Sequence, residues 1–210
     1  SVNLPIAQGQ TLRVQVRAAG PGGTSDWSDT VSVSWAKPAP PAPKVVTRTV
    51  TITPTWSGSY RHGYNQWDRW NTGRYGGRST LWQGSKYGST QMTGLATYGN
   101  KLRDLGADEI TLIEVTLRGV GLNSDLPSIV VQGSPHGSKP SGAPVSSGET
   151  ASGQTGPTSS TKVRLPESVR EAFRTGAVKG LALVGSGYGG VRGTSAADGM
   201  ALRVTYKVTI

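Results

Sequence analysis

The last eleven residues of the chain alternate between apolar side chains and polar or small ones. The apolar positions are Met200, Leu202, Val204, Tyr206, Val208 and Ile210. Since successive side chains of a β-strand point to opposite faces, this period of two predicts a long strand with one buried face. A similar alternation over residues 46–52 predicts another strand. The first and last strands of a sandwich or jelly roll commonly pair, so we expect these two to lie side by side.

The composition favours many turns and few long helices. The chain has 210 residues, of which 30 are Gly and 13 are Pro, and 34% are hydrophobic. Together with strands predicted at residues 110–118 and 180–184, this indicates an all-β fold, a β-sandwich or jelly roll. Residues 166–175, which Gly176 follows, predict a short helix, and residues 100–105 are a second candidate. Residues 133–161 are rich in Ser, Gly, Pro and Thr, so we expect a long surface loop there.

A proline-rich run predicts a domain boundary. Alternating residues at 12–17 and 31–35 predict an antiparallel hairpin, so we expect residues 1–36 to be the C-terminal strands of a first domain. Residues 37–44 contain four prolines, which favour an extended linker, and residues 45–210 form the second domain. The chain has no Cys, which excludes disulfides and thiolate metal sites. No run of about 18 apolar residues occurs, so we expect no membrane insertion.

The chain is strongly basic. It carries 22 Lys and Arg against 12 Asp and Glu, a formal net charge of +10. Such a charge attracts polyanions, which include nucleic acids, anionic cell-wall polymers and acidic lipid headgroups. The charge alone does not choose among them.

Aromatic residues are concentrated in one segment. Nine of the fourteen aromatic residues, which are six Trp, seven Tyr and one Phe, lie between Trp56 and Tyr98, among several cations. Exposed rings bind sugars or bases by stacking, and arginines beside them bind anionic groups. The alternative is that rings of this segment fill the core, for which Trp56 is the first choice. The predicted ligand-binding residues are Tyr64, Trp67, Arg69, Trp70, Arg74, Tyr75, Arg78 and Trp82.

Two parts of the sequence resemble known protein families. The run 11–18, a Gly-rich turn and Ser25-Asp26-Trp27-Ser28 resemble the last two strands of a fibronectin type III module, a β-sandwich used as a spacer or adhesive unit. The runs 54–61, 81–84, 97–99 and 197–200 resemble the carboxy-terminal domain of minor tail proteins from phages of actinobacteria.

The second resemblance implies a place and a role. It implies a position in the virion, at the tail tip or fibre, and attachment to a polysaccharide of the host cell envelope. The implied partners are other tail subunits in a homotrimer, with no nucleic acid. Two alternatives stay open: a purely structural tail subunit, or the carbohydrate-binding module of a cell-wall-degrading protein.

The residues of known catalytic constellations are scarce. His62 and His136 are the only histidines, and Asp68 is the only acid within the aromatic segment. A glycoside hydrolase needs two carboxylates that flank the sugar, and a zinc site needs several ligands at suitable spacing. We therefore expect no enzyme activity and no cofactor or metal.

Overall fold

The computed structural model describes residues 5–68, 80–85, 90–121 and 123–210. The chain divides into two compact units, Ser1–Pro43 and Lys44–Ile210. We call them the N-terminal unit and the C-terminal unit. The boundary falls at the end of the proline-rich run.

The N-terminal unit contains an antiparallel hairpin. Its strands are β1 (Thr11–Val14), β2 (Ala19–Gly20), β3 (Gly23–Thr24) and β4 (Val31–Ser34). Strand β1 pairs with β4, and the short strands β2 and β3 pair with each other between them. The predicted hairpin is confirmed, although β1 ends at Val14 instead of residue 17.

The C-terminal unit is built almost entirely from strands. They are β5 (Val45–Ile52), β6 (Trp56–Arg61), β7 (Gln66–Trp67), β8 (Thr80–Gly84), β9 (Met92–Thr97), β10 (Glu109–Arg118), β11 (Ser128–Ser134), β12 (Ser147–Gln154), β13 (Ser160–Arg164), β14 (Gly180–Leu183), β15 (Gly189–Arg192) and β16 (Leu202–Thr209). One helix, α1 (Glu167–Thr175), lies between β13 and β14 in the described part of the chain.

These strands form two antiparallel sheets. In the described residues, the first sheet has the order β13-β10-β16-β5. The predicted pairing of first and last strands is confirmed, because Val45 lies opposite Thr209 and Ile52 opposite Leu202. The second sheet has the order β12-β11-β14-β9-β6-β7, and β8 joins it by pairing with β9 and β15.

The larger hydrophobic cluster of the described residues contains side chains of both sheets. Val115 and Val204 of the first sheet and Leu181 and Leu183 of the second have no exposed surface and belong to the same cluster. The fold is therefore an all-β sandwich, as the sequence predicts. No helix among the described residues combines the length and apolarity that a membrane span requires.

The helix predictions are largely confirmed. Helix α1 buries Val169 and Phe173 and ends at Gly176, whose φ of 82° is the left-handed conformation that glycine favours. The second candidate is only a 3-10 turn, Arg103–Leu105, which Gly106 ends in the same way.

The prediction of a long loop over residues 133–161 is wrong. Strand β12 and the start of β13 lie within it. Strand β12 is an exposed edge strand that pairs with β11 through its backbone, so it needs no alternation of apolar side chains. Residues 135–146 and 155–159 are the parts that contain no strand.

Candidate functional site

Four aromatic side chains lie in contact at the edge of the second sheet. We call Trp56, Tyr60, His62 and Trp67 the aromatic strip. The ring of Trp67 contacts Trp56 at a centroid distance of 4.9 Å and Tyr60 at 5.3 Å, both edge-to-face. Tyr60 contacts His62 at 5.3 Å in the same way. Edge-to-face pairs at these distances are favourable, so the four rings hold one another in place.

The alternation of β6 places the strip on one face of the sheet. Trp56, Gly58 and Tyr60 point to that face, and Ser57 and Ser59 point to the other. The Ser59 hydroxyl accepts a hydrogen bond of 2.9 Å from the backbone N–H of Trp82, which belongs to the buried side. Strand β7 then returns beside β6 and places Trp67 directly opposite Tyr60.

Gly58 allows the ring of Trp56 to lie against the strand. A Cβ atom at Gly58 would lie 2.7 Å from two ring carbons of Trp56, closer than real contacts allow. The side of the indole that carries Cζ2 and Cη2 therefore lies against the backbone of Gly58. Trp56 is only half-buried, so part of its ring is exposed to solvent.

The loop between β11 and β12 contacts the strip. We call residues 135–146 the covering loop. The indole N–H of Trp67 donates a 2.8 Å hydrogen bond to the carbonyl of Pro140. The loop is also closed on itself, because the Val145 N–H donates to Nε2 of His136 and the Ser134 hydroxyl donates to the Val145 carbonyl. These bonds fix the orientation of Trp67 at the rim of the loop.

The strip is partly accessible. Tyr60 is buried, with 4% of its surface exposed, whereas Trp56 and Trp67 are half-buried and His62 is exposed. The His62 ring is held by a 2.9 Å hydrogen bond between Nε2 and the Thr93 hydroxyl. Two indoles and an imidazole thus form a partly exposed aromatic surface.

A cation–aromatic pair lies next to the strip, at the end of β6. The guanidinium carbon of Arg61 lies 4.2 Å from the ring centroid of Tyr64, and Tyr64 is 54% exposed. Asn65, with φ of 47°, turns the chain after Tyr64 and leads into β7. In the described part of the chain, no carboxylate forms an ion pair with Arg61, so its charge is free to meet an anionic ligand.

The predicted binding residues do not form a single group. Tyr64 is exposed, as expected, and Trp67 is half-buried in the strip. Trp82 lies in a separate buried cluster with Met92 and Val120. The remaining predictions, Arg69, Trp70, Arg74, Tyr75 and Arg78, lie outside the described residues.

The expectation that Trp82 is an exposed ring is wrong. It is 5% exposed and stacks on Tyr188, with 5.2 Å between centroids and 13° between ring planes. A Cβ at Gly190 would lie 2.6 Å from its ring, so the indole also packs on the backbone of β15. Strand β8 pairs with both β9 and β15, which leaves Trp82 inside the unit.

The prediction that Trp56 is a core ring is wrong, because the ring is half-buried and part of its surface is accessible. The sequence also does not predict that His62 and Pro140 take part. The spacing of Trp56, Gly58 and Tyr60 at every second residue is the signal that places them on one face of a strand. It does not say which face the second layer covers.

No metal cluster stands out in the residues that the structure describes. No three His, Asp or Glu side chains there are grouped as metal ligands would be. Compared with models of protein families and with curated proteins, the sequence matches none.

Proposed function

We propose that the chain is part of a phage minor tail protein and that its C-terminal unit attaches the virion to a glycan of the host cell envelope. The sequence runs that resemble tail proteins of actinobacterial phages support the place in the virion tip or fibre. The observation that carries the binding role is the aromatic strip, in which two half-exposed indoles are fixed by ring contacts and by the Pro140 carbonyl.

The strip suits a sugar ligand chemically. The C–H groups of a pyranose face pack against a flat aromatic ring, and a ring that is already fixed loses little conformational entropy on binding. Trp56 and Trp67 are half-buried and His62 is exposed, so part of each ring is accessible to such a ligand.

The charges suit an anionic polymer. The chain has a net charge of +10, and Arg61 lies beside the strip with its charge stacked on Tyr64. A guanidinium binds carboxylate or phosphate groups with two hydrogen bonds. We therefore propose an anionic envelope polysaccharide as the ligand, and the proposal assigns binding without catalysis.

The test uses the full chain and isolated cell walls of an actinobacterial host. The chain should sediment with the walls, and the retained fraction should fall as salt increases, because ions screen the contribution of Arg61 and its neighbours. Walls from which the polysaccharide has been removed are the control and should retain little. Equal retention on stripped and intact walls would refute glycan binding. Retention that does not change with salt concentration would refute the proposal that the ligand is anionic.

A further inference from the structure

Strand β5 leaves one edge of the first sheet open. The N–H of Lys44 donates to the carbonyl of Ile210, and the N–H of Ile210 donates to that of Lys44, both at 3.0 Å. In an antiparallel ladder such double-bonded pairs recur at every second residue. Residues 46, 48, 50 and 52 therefore bond to β16, and the N–H and C=O groups of Val45, Thr47, Thr49 and Thr51 point away from it.

The unpaired backbone groups of β5 end at residue 51. No strand in the described residues pairs with the outer side of β5, and Val45, Thr47, Thr49 and Thr51 are all exposed. The next outward carbonyl, that of Thr53, accepts a 2.9 Å hydrogen bond from the Lys101 ammonium. The available edge thus runs from residue 45 to residue 51.

The edge lacks most features that prevent pairing with another chain. Edge strands are commonly protected by proline, by bulges, by charges or by shortness. Strand β5 has eight residues, no proline and a continuous register with β16, and Arg48 is its only charged residue. The opposite edge, β13, has five residues and carries Lys162 and Arg164.

We propose that β5 pairs antiparallel with β5 of a second copy of this chain, about a two-fold axis at Thr49. Thr49 then lies opposite Thr49 of the second copy. Thr47 of each copy lies opposite Thr51 of the other copy. Threonine pairs across strands are favourable. Each of these three pairs makes two backbone hydrogen bonds, about six in all.

Alternative registers are less favourable. An axis at Arg48 would put two guanidinium groups directly opposite each other, which is destabilising. An axis at Thr47 would put Pro43, which has no N–H, opposite Thr51. With the axis at Thr49, Arg48 lies opposite Val50, and the paired strand covers the half-buried side chains of Val46 and Val50.

The two-fold contact has a consequence for attachment. It joins two C-terminal units, so that two aromatic strips act on one polymer through avidity. It also differs from the homotrimer that the family resemblance implies, and the two assemblies have different masses. The inference does not depend on glycan binding, since it uses only the backbone of β5.

The test is the mass of the full chain by light scattering, with two variants at one position. Thr49→Pro removes an N–H that points away from β16, at a site where an edge strand accepts proline. Thr49→Val loses the same hydroxyl, which contacts Thr205 at 3.0 Å, but keeps the N–H. We expect twice the chain mass for the wild type and for Thr49→Val, and half that mass for folded Thr49→Pro. A monomeric wild type, or an assembly that Thr49→Pro leaves unchanged, overturns the proposal.

A second measurement on the wild type does not depend on the folding of any variant. The amide hydrogens of Thr47, Thr49 and Thr51 face solvent in a monomer and are bonded in the proposed dimer. Their hydrogen exchange should slow as protein concentration rises, while exchange at Val46 and Val50 stays constant. Fast exchange of the three threonine amides at every concentration at which light scattering is measured overturns the pairing.

Discussion

Replacement of Trp82 by alanine distinguishes a core ring from a ligand-binding ring. The structure places this indole between Tyr188 and the backbone of Gly190 with 5% of its surface exposed. We expect the Trp82→Ala variant to lose stability and therefore to unfold at lower urea concentration. A residue that acted only in binding would leave the unfolding transition unchanged.

The magnitude follows from three contributions. Loss of a buried Trp to Ala costs roughly 3–5 kcal/mol, and the stacked contact with Tyr188 contributes about 0.5–1.5 kcal/mol. The indole N–H finds no hydrogen-bond partner among the described residues, and its burial costs about 1–3 kcal/mol, which the alanine variant avoids. The expected net loss in the free energy of unfolding is about 3 kcal/mol.

Trp82→Phe is the matched variant. It keeps an aromatic ring on Gly190 and Tyr188 but removes the N–H that lacks a partner, so the expected loss is below about 1.5 kcal/mol. Urea unfolding followed by circular dichroism measures both variants. A loss below about 1 kcal/mol for Trp82→Ala, combined with weaker cell-wall retention, would refute the assignment of Trp82 to the core.

Two further predictions concern Tyr98 and Gly58. Burial raises the pKa of Tyr98, whose hydroxyl donates a 2.6 Å bond to the Met200 carbonyl, so above about pH 10 only the unfolded state loses this proton. At neutral pH, urea unfolding should give a lower free energy of unfolding for Tyr98→Phe than for the wild type. This difference in free energy should become smaller as the pH rises above about 10. A difference that does not change with pH would contradict the prediction. Gly58→Ala should displace Trp56 and lower the free energy of unfolding by about 1–3 kcal/mol. The control is Gly142→Ala, whose Cβ would have no atom within 4 Å. Equal stability of the two variants would refute the packing of Trp56 on Gly58.

The sequence predicted those parts of the fold that one side-chain pattern determines. The alternation at residues 200–210 identified β16, and the same pattern identified β5 and its pairing. Helix α1 was predicted because proline begins its first turn and Gly176 ends it. Strand β12 could not be found in this way, since its residues are mostly exposed and only its backbone pairs with β11.

The site was harder to predict than the fold. A period of two shows which side chains share a face, but the covering of that face depends on distant segments. Strand β8 buries Trp82 because it pairs with β15, about a hundred residues later in the chain. The covering loop binds Trp67 through Pro140, which lies 73 residues later in the chain. Neither contact has a local signal.

The most direct test of glycan binding is the affinity of a Trp56→Ala variant of the full chain for isolated host cell walls. Trp35→Ala is the matched control, because Trp35 is 55% exposed and belongs to the N-terminal unit. Stacking on one ring contributes roughly 1–3 kcal/mol, so affinity should fall about 5- to 150-fold for Trp56→Ala while the variant stays folded by circular dichroism. The affinity of Trp35→Ala should equal that of the wild type. Equal affinities for all three proteins, or an equal loss in both variants, would contradict a glycan site at the aromatic strip.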